Sequence, residues 1–148
     1  MTVEERGTPM PTTITSVHVT MVAEIYAAFG RGDVPFIMDS LADDIVWEHG
    51  IRTTDLPWLQ PGTGKKHVGE FFAAVRQGLA FSVFEPQVIA ADGDTVVAVI
   101  REASTILSTG KPVDEDLYAH VWTFNGSGKV ASFRHIGDWA RHEVSFRS

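Results

Sequence analysis

The chain has no cysteine, and among its 148 residues 12 are lysine or arginine against 19 aspartate and glutamate. The first absence excludes disulfides, a cysteine-ligated zinc and a thiol nucleophile. It fits a reducing compartment, and a cytoplasmic protein is the default expectation. The second absence leaves a net charge of −7, with Lys65-Lys66 the one adjacent basic pair. No nucleic-acid partner is expected, because binding a duplex means neutralising phosphates with clustered cations. No run reaches the ~18 apolar residues needed to span a bilayer, so no membrane partner is expected either. Residues 1–11 lack the apolar stretch of a signal peptide. What the chain has is an ordinary globular balance, 44% hydrophobic and 21% charged. Its length suits one core that buries ~70% of the unfolded surface. A flexible tail is expected over 1–14 and a single domain over 15–148.

Apolar residues recur at helical spacing from Thr15 to Phe29, with Val17, Met21, Val22, Ile25, Tyr26 and Phe29 on one face. Gly30 and Gly32 stop that helix, and Asp33 is placed to cap a second one that takes Pro35 in its first turn. The Arg31-Gly32-Asp33 tripeptide is therefore read as a stop and a cap, not an adhesion signal. Ile45 to His49 predicts a short strand on which Glu48 points to solvent. A polar stretch from Gly50 to Gly64 follows, long enough to be functional. It carries Trp58, which is either a lid over a pocket or a plug at the core's edge. Lys65 to Gly78 predicts a third helix, with His67 solvated. Strands follow over Phe81–Ala91, where Pro86 implies an edge or a bulge, and over Thr95–Ser108. Arg101 and Glu102 interrupt the second of these, so one must face inward. Asp114, Glu115 and Asp116 predict a solvated sheet edge.

The last two strands flank Asn125-Gly126-Ser127-Gly128. With Asn125 opposite Gly128, His120 faces Phe133 and Tyr118 faces His135. Tyr118, His120, Trp122, Phe124, Phe133 and His135 then share one face. The two histidines become diagonal neighbours at ~7–8 Å. A slip of one residue would replace Phe133 and His135 there with Arg134, Ile136 and Asp138. In the favoured register Asp138 points away and caps the turn into the C-terminal segment. Three helices, one early strand and a four-strand meander make an α+β pattern. Between the layers lies a place for a small apolar ligand. Trp47, Trp122 and Phe133 would wall that pocket or form plain core. No His-x-His or His-Glu-x-x-His spacing supports a metal, and none is expected.

The runs "IYAAFGRGD", "LADDIVWEHG", "PGTGKKHVGEFFAAV" and "HVWTFNGSGKVASFRHIGD" together resemble the SnoaL-like polyketide cyclases. These belong to the nuclear transport factor 2-like superfamily, with the ketosteroid isomerases and limonene epoxide hydrolases. The resemblance runs from about Val17 to Asp138. It implies a cone-shaped α+β barrel, three N-terminal helices packed on a curved, mostly antiparallel sheet. It also implies working positions. His49 stands where the isomerases keep their general-base aspartate, and His120 where they keep a protonated aspartate. Tyr26 stands near their oxyanion tyrosine. His135 occupies the place of the epoxide hydrolases' acid aspartate. The resemblance matches Arg101 to their strand arginine, but Ala103 replaces the aspartate that should follow it two residues later.

Taken together, the resemblance and the residues imply a cofactor-independent acid–base enzyme of cyclase, isomerase or dehydratase type. Its substrate would be a small, mostly apolar carbonyl compound. In that reading His49 removes a proton, His120 or Tyr26 stabilises the oxyanion, and His135 donates or relays. Trp47, Trp58, Trp122, Phe133 and Arg101 bind the substrate. The alternative is a non-catalytic binding module of the same fold, its histidines being core imidazoles. Relatives often pair through the outer sheet face, so a homodimer is expected there, using Val113, Leu117 and Val121.

Overall fold

A computed structural model describes residues 12–147, the side chains of 12–16, 116 and 117 excepted. Of the tail expected over 1–14, residues 1–11 lie outside the described residues and 12–14 belong to the first helix; the side chain of Leu117 is also outside them. Four helices pack on a curved, open six-stranded sheet. Helix α1 (Thr12–Gly30) begins three residues earlier than the periodicity suggested. Its inward face is built from Val22, Ile25, Tyr26 and Ala28. Val17, expected on that face, is 56% exposed. His18 turns inward beside it, stacked on Phe124 at 4.2 Å, with Nδ1 3.0 Å from the Gly93 carbonyl.

Gly32 closes α1 with φ of +74°, a conformation that costs other residues a clash at Cβ. Asp33 then caps α2 (Val34–Asp39) by accepting the Phe36 N–H at 3.2 Å. Strand β1 (Leu41–Trp47) pairs with the two-residue β2 (Gly62–Thr63), and α3 (Lys65–Gly78) follows. The meander is β3 (Leu79–Asp92), β4 (Thr95–Ile106), β5 (Lys111–Phe124) and β6 (Val130–Ile136). The sheet order is β2-β1-β6-β5-β4-β3, antiparallel except where β1 runs parallel to β6. Strand β3 is an edge, and its register shifts between Pro86 and Val88, as a residue without an N–H requires. None of the helices among the described residues is long and apolar enough to cross a membrane.

The final hairpin turns through five residues rather than two, because the Asn125 N–H reaches the Lys129 carbonyl at 2.9 Å. Partners therefore differ by two positions from the expected register. His120 lies directly opposite His135, and Trp122 opposite Phe133. A shift of two conserves the face, so the expected residues still point inward together.

Two acidic residues expected in water are buried instead. Strand β1 ends at Trp47, and Glu48 takes φ of +59°, which breaks the strand's alternation and swings its side chain inward to 0% exposure. Between β4 and β5 the register shifts after the Ile100–Tyr118 pair. That bulge reverses the parity of the earlier half of β5, so Glu115 and Val113 face the interior along with Tyr118 and His120. With Val113 only 2% exposed, it is not available to an outer-face contact.

The C-terminal segment is a fourth helix, α4 (Trp139–Arg147), started by Asp138 Oδ1 accepting the Arg141 N–H at 3.3 Å. It clamps the long loop. Glu143 accepts from Arg52 at 2.7 Å and Thr54 at 2.6 Å, and Arg147 pairs with Asp55 at 2.7 Å. Hydrogen bonds from Arg52 and Thr54 hold the Glu143 carboxyl below the usual carboxylate range. Trp58 is thereby seated at 5% exposure against Phe146. Gly78 admits its ring, since a Cβ there would come within 2.6 Å of the indole.

Candidate active site

Between the sheet and the helices lies a cavity of about 60 Å³, lined mainly by aromatic and aliphatic side chains. Seven residues singled out in the sequence line it: Tyr26, Trp47, Trp58, Trp122, His120, Phe133 and His135. Two do not. His49 is exposed just outside β1, with Thr63 Oγ1 3.5 Å from its Nε2. The chain turns at Glu48, so the next side chain leaves the interior. Arg101 sits on the opposite face of β4 and bonds Asp114 at 2.9 Å. The inward position belongs to Glu102.

Glu48, the residue before His49, is the one that turns inward, and it sits behind the wall. Its Oε1 accepts the backbone N–H of His135 at 2.6 Å, and its Oε2 lies 2.5 Å from Nδ1 of the same residue. Its own N–H donates to the Phe133 carbonyl at 2.9 Å, extending the β1–β6 ladder by one residue. A carboxylate accepts and does not donate, so in the neutral form of His135 this grip places the proton on Nδ1 and the lone pair on Nε2. The grip also fixes the ring in the cavity wall.

His120 is held differently. Trp122 donates its indole N–H to the Tyr26 hydroxyl at 2.9 Å, and that hydroxyl is 2.8 Å from His120 Nδ1. With its oxygen already accepting, Tyr26 donates to Nδ1, which puts the His120 proton on Nε2. Among the described residues that Nε2 has no hydrogen-bond partner. Burial pushes the His120 imidazole well below its ordinary pKa, and a proton on the neighbouring His135 adds to the effect whenever that ring is charged. It therefore stays neutral. Burial pushes Tyr26 and Tyr118 upward, so neither phenol ionises near neutral pH. The two imidazole rings meet edge to face, with centroids 4.6 Å apart.

With both rings neutral, these contacts give two imidazoles of opposite tautomer, one able to accept a proton and one to donate a hydrogen bond. Further along the wall stand Glu102 and His142, with Glu115 behind them. Burial raises the Glu102 carboxyl above its usual range, offset in part by His142 and His135. The sequence did carry a signal for Glu102, which continues the inward parity of Val96, Ala98 and Ile100. One existed for His142 too, since Trp139, His142, Glu143 and Phe146 fall at i, i+3, i+4 and i+7. No such signal marked Glu48, which turns inward at a left-handed residue.

A family model described as a SnoaL-like domain matches residues 22–133. Solved structures share the fold. An NTF2-like protein of Burkholderia xenovorans LB400 is 24% identical over 90% of this chain and 98% of its own, with a TM-score of 0.79. TerC, co-crystallised with polyporic acid, is 23% identical over 89% of this chain and 99% of its own, at 0.74. An LEH-like epoxide hydrolase of M. tuberculosis is 18% identical over 89% and 90%, at 0.66. No protein of curated function matches the sequence.

Proposed function

The chain belongs to the SnoaL-like domain family, and on that premise we propose that it is an acid–base enzyme of cyclase, isomerase or dehydratase type. Its substrate is a small, mostly apolar carbonyl compound. The observation that carries this reading is the Glu48–His135 pair set at 2.5 Å in the wall of an apolar cavity. His135 Nε2 takes a proton from the carbon beside the carbonyl. Glu48 stabilises the imidazolium that forms, and the same imidazolium returns the proton to carbon or to a leaving hydroxyl. His120 Nε2–H donates to the oxygen as negative charge builds there. A neutral donor suits this work, because it is fixed by Tyr26 before the reaction begins.

This sequence of steps uses side chains alone. It moves the base from His49 to His135, and assigns His120 rather than Tyr26 to the oxyanion. Tyr26 and Trp122 become positioning residues. The cavity has room for about four or five waters, so the substrate is small or the Trp58 loop opens to admit it. That TerC was co-crystallised with polyporic acid is in keeping with an organic ligand in a cavity of this fold.

The test is α-deuterium incorporation into a panel of enolisable aryl and cyclic ketones in deuterium oxide, followed by NMR. Wild-type protein is expected to accelerate exchange of at least one ketone, and His135→Ala to return it to the uncatalysed rate. Ligand binding without exchange across the panel would overturn the enzyme reading in favour of a binding module.

A further inference from the structure

Glu102 and Glu115 are register partners directly opposite each other on β4 and β5. Both are nearly buried, at 3% and 4% exposure. Like charges facing each other across a ladder repel, and burial removes the water that would screen them. Against the pair packs His142 of α4, 1% exposed, with Nε2 3.4 Å from Glu115 Oε1. Among the described residues neither nitrogen of His142 has a hydrogen-bond partner, and neither do Glu102 Oε2 and Glu115 Oε2. Three buried residues from three elements, each with a polar atom that lacks a partner, call for a group that all three can hold.

We propose that Glu102, Glu115 and His142 form a binding site for a divalent first-row transition cation. One potential ligand atom from each residue lies within 4.8 Å of the other two. Bonds of ~2.0–2.2 Å to nitrogen and oxygen place tetrahedral ligand atoms ~3.4 Å apart, the separation already present between His142 and Glu115. Glu102 supplies the third ligand atom, within 4.8 Å of the other two. One imidazole with two carboxylates suits zinc, cobalt, iron(II) or manganese. The absence of thiolate removes the preference for copper(I), and the imidazole disfavours magnesium and calcium. Two negative charges balance the cation.

Because Glu102 and His142 line the cavity, a fourth coordination position opens onto it. The site also ties α4, and with it the clamp on the Trp58 loop, to the sheet. Its ligands lie 13 and 27 residues apart in a chain that brings them together from two strands and a helix. Short-motif spacing could not reveal it. The Glu48–His135 pair uses other residues, so either assignment can fail alone.

The experiment uses full-length protein made without a histidine tag, stripped with chelator and titrated calorimetrically with zinc and with manganese. One zinc per chain is expected with a micromolar or tighter Kd, manganese binding more weakly in accord with the Irving–Williams order. His142→Ala should weaken zinc at least 100-fold and Glu102→Gln at least tenfold. The double variant His49→Ala/His67→Ala, which removes surface imidazoles, should bind as wild type does. If His142→Ala does not fold, the nearly isosteric Glu102→Gln decides alone. Substoichiometric zinc in wild type, or binding by Glu102→Gln within twofold of wild type, would overturn the proposal.

Discussion

Glu48→Gln is expected to slow α-proton exchange by ~10²–10⁴ while the domain stays folded. The two oxygens of Glu48 each accept from His135, one from its backbone N–H and one from Nδ1–H. Glutamine has one acceptor to offer. If its oxygen keeps the backbone N–H, its amide donates to Nδ1, and the ring proton moves to Nε2, where the base must be empty. If its oxygen keeps Nδ1–H, the amide faces the backbone N–H, donor against donor, at a position that is fully buried. Either way His135 is lost as a base or loosened in the wall. The accompanying loss of stability is about 1–3 kcal/mol, the cost of one buried donor left unmatched. Exchange rates and urea unfolding of the same variant separate the two effects. A variant that exchanges within threefold of wild type would mean that Glu48 does not set the tautomer.

Trp47→Ala is expected to cost about 3–5 kcal/mol, and to lower Tm by about 10 °C or more. Trp47 is 1% exposed and stacks on Phe133 with centroids 4.3 Å apart, with Phe71 at 5.1 Å on another side. With Val46, it is one of two β1 residues that pair with both β2 and β6. Removing the indole leaves a void between two strands and a helix that are each fixed by other contacts, so the walls cannot close over it. The same void enlarges the cavity beside His135. Urea unfolding monitored by the remaining tryptophans gives the measurement. A loss under 1 kcal/mol would mean that Trp47 belongs to a pliable pocket rim rather than to the core.

How much of this could be read from residues alone depends on what kind of local rule each residue obeys. The hairpin face was legible because period-two alternation survives any even shift. His120, Trp122, Phe133 and His135 were grouped correctly although their partners were displaced by two. Helix α3 was legible to its last residue because its apolar spacing and its bounding glycines agree. Glu48, Glu115 and His49 were misplaced for a common reason. Each lies at or beside a break in alternation, a left-handed residue or a bulge, which local pattern does not announce and tertiary packing imposes. The family resemblance located the general-base region one residue away from the buried carboxylate. It could not foresee that a glutamate turned inward would position a histidine from another strand. Glu102 and His142 were legible by parity and by helical spacing, and the charged type of each drew attention away from the inward face.

The most direct test of the account is the nitrogen-15 NMR signature of the six imidazoles at pH 7.5, assigned by His135→Gln and His120→Gln variants. His135 is expected as the tautomer protonated at Nδ1 and His120 as the tautomer protonated at Nε2. His120 should remain neutral as the pH is lowered past 6.5, because burial holds its pKa down. A His135 protonated at Nε2, or a His120 that takes up a second proton at or above pH 6.5, would contradict the assignment of base and donor.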